Sequence, residues 1–136
     1  MKKPVKTQEL DLSIASLAFG GRGVARQDGF VIFVDGAVPG DRVRAVVTHA
    51  RRSYAEARVK ELLNSSAERV EPKCRHFGVC GGCSWQTLSY DAQLRYKQSQ
   101  VAECLGHIGG IHGFAVDQPL GAENIWRYRN KVEFSF

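Results

Sequence analysis

Cys74, Cys80 and Cys83 fall within ten positions of one another, with Gly81 and Gly82 between the last two. Thiols at this density on a glycine-rich loop build no core. Cys-x-x-Cys lets one tight turn aim two sulfurs at a single point, and the paired glycines remove side chains that would block the approach. A third sulfur six positions upstream can wrap round the same centre. The chemistry this suits is a soft metal site, either zinc or an iron–sulfur cluster. Cys104 is the remaining cysteine, separated from Cys83 by 20 residues, a spacing seen between cysteine pairs in zinc ribbons. It has no cysteine beside it, so a zinc site would need His76, and the thiol reads better as a buried helix residue. Two disulfides in a secreted protein are the other use of four cysteines. The basic start of the chain has no apolar run behind it and no stretch is long enough to span a membrane, so a reducing cytoplasm and a metal site form the coherent pair.

The elements that must position this loop lie on either side of it. Ahead of it the pattern is all-β. Leu10, Leu12 and Ile14 alternate with Glu9, Asp11 and Ser13, and 30–34 is a strongly strand-like run. Val43, Ala45 and Val47 alternate with Arg42, Arg44 and Val46, and Ala55, Ala57 and Val59 with Glu56, Arg58 and Lys60. Turns are predicted at 20–23, at 27–29, and at Pro39-Gly40-Asp41, where proline presets the first corner of a type II turn and glycine takes the positive φ of the second. Short strands parted by glycine turns predict a small closed barrel of the OB type over residues 1–66.

The chain carries a net charge of +5, with a pI near 9.2. Most of the excess precedes the cysteines: residues 42–60 hold six cations, Arg42, Arg44, Arg51, Arg52, Arg58 and Lys60, against Glu56 alone. With Arg22 in the glycine turn, these form a candidate phosphate-tracking face for RNA, weighed against a solvated polar face. Phe30, Phe33 and Tyr54 could stack bases, although core packing is the expected role of aromatics here.

Gly-Gly-Arg-Gly-Val-Ala-Arg (20–26) and Phe-Val-Asp-Gly-Ala-Val-Pro-Gly-Asp-Arg-Val (33–43) resemble a TRAM domain, a small RNA-binding barrel. Residues 66–74, the cysteine loop, Trp85-Gln86 with 90–94, and 126–134 are similar to bacterial RNA (uracil-5-)-methyltransferases, closest to those acting on large-subunit ribosomal RNA. The resemblance implies a 4Fe–4S cluster, with Cys74, Cys80 and Cys83 matching three ligands and the fourth lying beyond this chain, and zinc stays the alternative on spacing. It also implies S-adenosylmethionine as methyl donor, a cysteine nucleophile and a general base, all in a Rossmann-like domain that these residues do not contain. No catalytic and no cofactor-binding residue is therefore assigned, and the chain by itself is expected to be inactive.

After the loop, residues 67–136 form a small α+β segment. Tyr90, Leu94, Val101, Leu105 and Ile108 predict a helix over 89–108 with Ser89 as N-cap and its apolar stripe packed on the cysteine module, ended by Gly106 or Gly109-Gly110. Residues 109–124 read as irregular, and His107 and His112 receive no role. Residues 127–136 alternate as a strand that stops in mid-pattern, which reads as truncation. The expectation is the N-terminal, RNA-binding and iron–sulfur portion of an RNA methyltransferase, a cytoplasmic monomer with no membrane contact. The alternative is a stand-alone RNA-binding module with a structural metal.

Overall fold

The computed structural model describes residues 3–128. Among these, β1 (Glu9–Ser13), β2 (Ser16–Leu17), β3 (Gly23–Gln27), β4 (Phe30–Asp35), β5 (Arg42–Ala50) and β6 (Tyr54–Asn64) form one sheet in the order β1-β5-β6-β4-β3-β2. β1 and β2 are successive parts of one bent strand. Its first part pairs with β5, placing Leu10 opposite Ala45 and Leu12 opposite Val43. Its second part pairs with β3, placing Ser16 opposite Val24. Between them the Ala15 N–H donates to the Val24 carbonyl at 2.8 Å. Both ends of the sheet are thus the same stretch of chain, and the sheet closes into a barrel. Every pairing is antiparallel except β4 with β6, where Ile32 lies beside Ala55 and Val34 beside Ala57. Counting β1 and β2 as one strand, this is a five-stranded Greek-key barrel of the OB type.

Period-two alternation fills the barrel. Leu10, Leu12, Ile14, Phe30, Ile32, Val34, Val43 and Val47 are buried inside it, with Ala25, Ala45, Ala55 and Ala57 supplying the small partners that let large side chains interdigitate. Phe30 belongs to this core as expected of it, while Phe33 and Tyr54 face outward and are half-buried. The predicted turns form. Asp28 and Gly29 both take positive φ, 50° and 79°, as a two-residue hairpin requires. Gly40 takes φ 88° in the Pro39-Gly40 turn, closed by the Asp41 N–H donating to the Val38 carbonyl at 3.1 Å.

Beyond the barrel, a single bridge pairs Arg69 with Leu88 on either side of the cysteine loop. The helix α1 (Tyr90–Glu103) follows, with the Ser89 hydroxyl accepting from the Ala92 N–H. It continues into a π-helical turn, Cys104–Ile108, that contains Gly106 and is capped by Gly109. The residue that α1 buries differs from the predicted stripe. Ala92 is fully buried, and with Leu88 it packs on Leu17 and Val38 of the barrel, flanked by Trp85 and Tyr96. Val101 and Ile108 are instead 49% and 85% exposed. The helix docks on the barrel through this small residue, which allows a close approach, and touches the end of the cysteine stretch through polar residues and not through the predicted stripe: Gln93 donates to the Trp85 carbonyl at 3.0 Å. Cys104, expected as a buried thiol, is exposed. Residues 109–124 carry no regular element, as read from their composition, and neither do 125–128. The predicted terminal strand falls almost wholly outside the described residues.

Candidate nucleic-acid interface and cysteine loop

The outer surface of the barrel separates its cations into two groups. Arg44 on β5 donates through Nε to Asp11 of β1 at 2.8 Å and through Nη1 to Glu61 of β6 at 3.2 Å. Its guanidinium holds the Asp11 carboxyl below the usual carboxylate value. Lys60 pairs with Glu9 at 2.5 Å. Arg22 bridges Asp35 at 3.1 Å and Glu56 at 3.0 Å. Arg42, Arg51, Arg52 and Arg58 are exposed and, among the described residues, their side chains have neither a hydrogen bond nor an ion pair, although the Arg42 charge helps to lower Asp11. The sequence window that showed six cations against one acid missed the balance, since Glu9, Asp11 and Asp35 come from strands earlier in the chain and Glu61 lies one position past it.

In OB barrels, oligonucleotides run across the second and third strands between the loop joining strands one and two and the loop joining strands four and five. Those strands are β3 and β4 here, and the loops are 18–22 and 51–53. Across this face Arg26 lies opposite Val31, which lies beside Tyr54, and Val24 lies opposite Phe33. The Phe33 and Tyr54 rings meet edge to face with centroids 5.6 Å apart. Arg51 and Arg52 stand in the second loop, separated from Tyr54 by Ser53. Arg26 was not singled out in the sequence, although it falls on the outward phase of β3. It is exposed and unpaired among the described residues. Aromatic rings ringed by such arginines can stack bases and bind phosphates.

One buried carboxylate joins this barrel to the segment that follows. The Asp41 side chain is wholly buried and accepts from the Val38 N–H at 2.9 Å, the Ser66 N–H at 2.9 Å and the Arg69 guanidinium at 2.7 Å. Arg69 also donates to the Gly36 carbonyl at 2.7 Å. Burial pushes the Asp41 carboxyl up, but the Arg69 guanidinium and the two N–H groups outweigh it and hold it below the ordinary value. Next to Arg69, Glu68 accepts from Arg95 and from the Tyr96 hydroxyl, the latter at 2.9 Å. Burial, reinforced by Glu68, pushes the Tyr96 phenol up to about 12. Gln100 donates from α1 to the Ala18 carbonyl at 3.1 Å. At Gly21 (φ 97°) a Cβ would collide with the Trp85 indole, so the glycine turn seats that ring. None of these ties was evident in the sequence, where Asp41 reads as a turn residue.

Cys74, Cys80 and Cys83 are exposed and line one concavity with His76, Phe77 and Gln86. The Gln86 side-chain carbonyl accepts from the Cys74 N–H at 3.2 Å and pins the base of the loop, while Gly78 and Gly81 take positive φ. The concavity measures about 20 Å3, room for roughly one water. The donors suit a thiolate-bound centre in type and in sharing one hollow. They fall short of it in spacing and number: among the described residues no three metal-ligating side chains converge on a point.

The TRAM domain family model matches residues 4–60, the whole span from the first ordered turn through most of β6. Residues 4–60 are a TRAM domain. Over 94% of its length the chain is 44% identical to an uncharacterized RNA methyltransferase of Listeria innocua. Over 98% it is 44% identical to the 23S rRNA (uracil(1939)-C(5))-methyltransferase RlmD of Alkalilimnicola ehrlichii. It spans only 28% and 30% of those two relatives' own lengths. It is also similar to a conserved protein of Methanococcus maripaludis solved in solution, at 34% identity and TM-score 0.40, covering 41% of this chain and 80% of that one. The TRAM domain ends just before Arg69 and the cysteine loop, so the similarity to the methyltransferases runs through both.

Proposed function

We propose that this chain is the RNA-docking and iron–sulfur portion of an S-adenosylmethionine-dependent RNA (uracil-C5)-methyltransferase that acts on ribosomal RNA in the cytoplasm. The observation that carries the docking role is the sorting of cations on the TRAM barrel. Among the described residues the side chains of Arg26, Arg51, Arg52 and Arg58 are unpaired on or beside the oligonucleotide face, while Arg22, Arg44 and Lys60 are occupied by carboxylates. The unpaired group contacts phosphates. The paired group loses less by staying where it is. Replacing Arg51, Arg52 and Arg58 by Glu is expected to weaken binding to single-stranded RNA and flatten the log–log salt slope by roughly 0.7 per lost phosphate contact. Arg44→Gln, at a paired position, should leave the slope unchanged. Equal effects from the two sets would reduce the face to a solvated surface.

Cys74, Cys80 and Cys83 would hold three corners of a 4Fe–4S cluster, with the fourth ligand, as the family resemblance implies, not among the residues of this chain. The cluster would supply a covalent staple for a loop that buries almost nothing. The chain's own part is to present the thiols on glycine turns pinned by Gln86. Anaerobically purified protein should be brown and contain iron, and colourless protein with stoichiometric zinc would replace the cluster by a zinc site that uses His76. Methyl transfer itself is assigned to no residue of this chain, which is expected to bind RNA without modifying it.

A further inference from the structure

The loop 18–22 presents a second surface, separate from the Phe33–Tyr54 face. Its turn is held by the Ala18 N–H donating to the Arg22 carbonyl at 2.8 Å and the Gly21 N–H donating to the Ala18 carbonyl at 3.0 Å. On this turn the Phe19 ring is 85% exposed, more than Val5 at 61% and Leu62 at 40%, the other large apolar side chains that the barrel region leaves open among the described residues. Phe19 forms one wall of an open groove of about 510 Å3 whose other wall is α1 and the start of the π-helical turn, through Lys97, Gln100, Val101, Cys104 and Leu105. That volume is in the range of clefts that take small ligands. The lining has a cation and no carboxylate. The Lys97 ammonium stands 5.9 Å from the Trp85 ring centroid, at the junction of groove and glycine turn.

A flat apolar wall beside a lone cation fits a nucleotide: the ring stacks on a base, and the ammonium meets the neighbouring phosphate. An acidic or neutral apolar peptide would use the apolar wall equally well, but the site lies on the strand one–two loop, which flanks the oligonucleotide path of this barrel type. Resting on the RNA-docking reading above, we propose that the groove between Phe19 and α1 seats one unstacked base of single-stranded RNA, with Lys97 against its phosphate. The path of the strand would then run off the barrel face and over the helix that carries the cysteine segment.

The test is fluorescence anisotropy of the full chain with a labelled single-stranded oligoribonucleotide of mixed sequence, and with the same probe carrying one abasic site walked along it. Phe19→Ala should weaken binding about 5- to 150-fold without changing the salt slope, and Phe19→Tyr should bind like the parent. Lys97→Gln should lower the slope by roughly 0.7. In the parent one abasic position should carry a penalty that vanishes in Phe19→Ala, a coupling that a merely misfolded variant would not reproduce. Undiminished affinity in Phe19→Ala, with binding still lost in the Arg51/Arg52/Arg58 variant, overturns the groove proposal alone. A parent chain that binds no RNA overturns both readings. Loss of self-association on sedimentation, with RNA affinity intact, makes the groove a protein contact and likewise overturns it.

Discussion

Asp41 and Arg69 lie 28 positions apart, and their pairing does more for the chain than the more numerous ion pairs outside the barrel. An exposed pair such as Lys60 with Glu9 gains little, about 0–1 kcal/mol, because water screens it and two long side chains must be ordered. Asp41 is wholly buried, so removing its partner strands a carboxylate in the interior. Arg69→Met is expected to destabilise the protein by about 3–5 kcal/mol in urea unfolding, against at most about 1 kcal/mol for Lys60→Met. The sign of the acid dependence follows from the same pair. Asp41 titrates below its ordinary 3.8 in the folded chain. Its contribution to stability is therefore complete above about pH 4 and is lost as pH falls through the folded value. Asp41→Asn should be less stable at neutral pH and show a shallower loss between pH 4 and pH 2, measured by denaturant midpoints.

At the scale of elements, α1 depends on contacts that periodicity does not rank. Its anchor is Ala92 against Leu17 and Val38, assisted by Gln100 reaching the Ala18 carbonyl. Ala92→Leu is expected to overpack this seam at a cost of about 1–3 kcal/mol, and hydrogen exchange should quicken in α1 while the β5 and β6 amides keep their protection. Equal loosening of helix and barrel would mean that the seam is not a separable contact. The strands were legible because barrel interiors impose strict alternation, which Leu10, Leu12 and Ile14 or Val43, Ala45 and Val47 display in sequence. The turns at Asp28-Gly29 and Pro39-Gly40 were legible because few residues tolerate their dihedrals. The helix was legible in extent but not in orientation, since a buried alanine carries no hydrophobic signal. The ion pairs were illegible for another reason: Arg44 meets Asp11 across 33 positions, and only the barrel's register brings them together. The cysteine loop was visible in its clustered thiols, but three sulfurs close in sequence need not meet in space: among the described residues they share one hollow without converging on a point.

The molecule as a whole is graded from a tightly packed barrel to a sparsely packed end. Inside the barrel Ile32, Val34, Val43 and Val47 are at most 1% exposed. Past α1, Ile108, Ile111, Phe114 and Leu120 lie exposed, with no strand or helix over 109–128 to shelter them. Native-state hydrogen exchange should therefore give three levels: slowest in β5 and β6, intermediate in α1, and near the unprotected rate over 109–128. Protection of 109–128 equal to that of the barrel would contradict this grading. The closure of the barrel has a bearing on solubility as well. Because residues 9–17 bind β5 with one half and β3 with the other, this one stretch covers two strand edges at once. Loss or fraying of that stretch would bare both edges together, each a template for adding a strand from another molecule, so the chain's resistance to aggregation rests on its first strand more than on any charged residue of its surface.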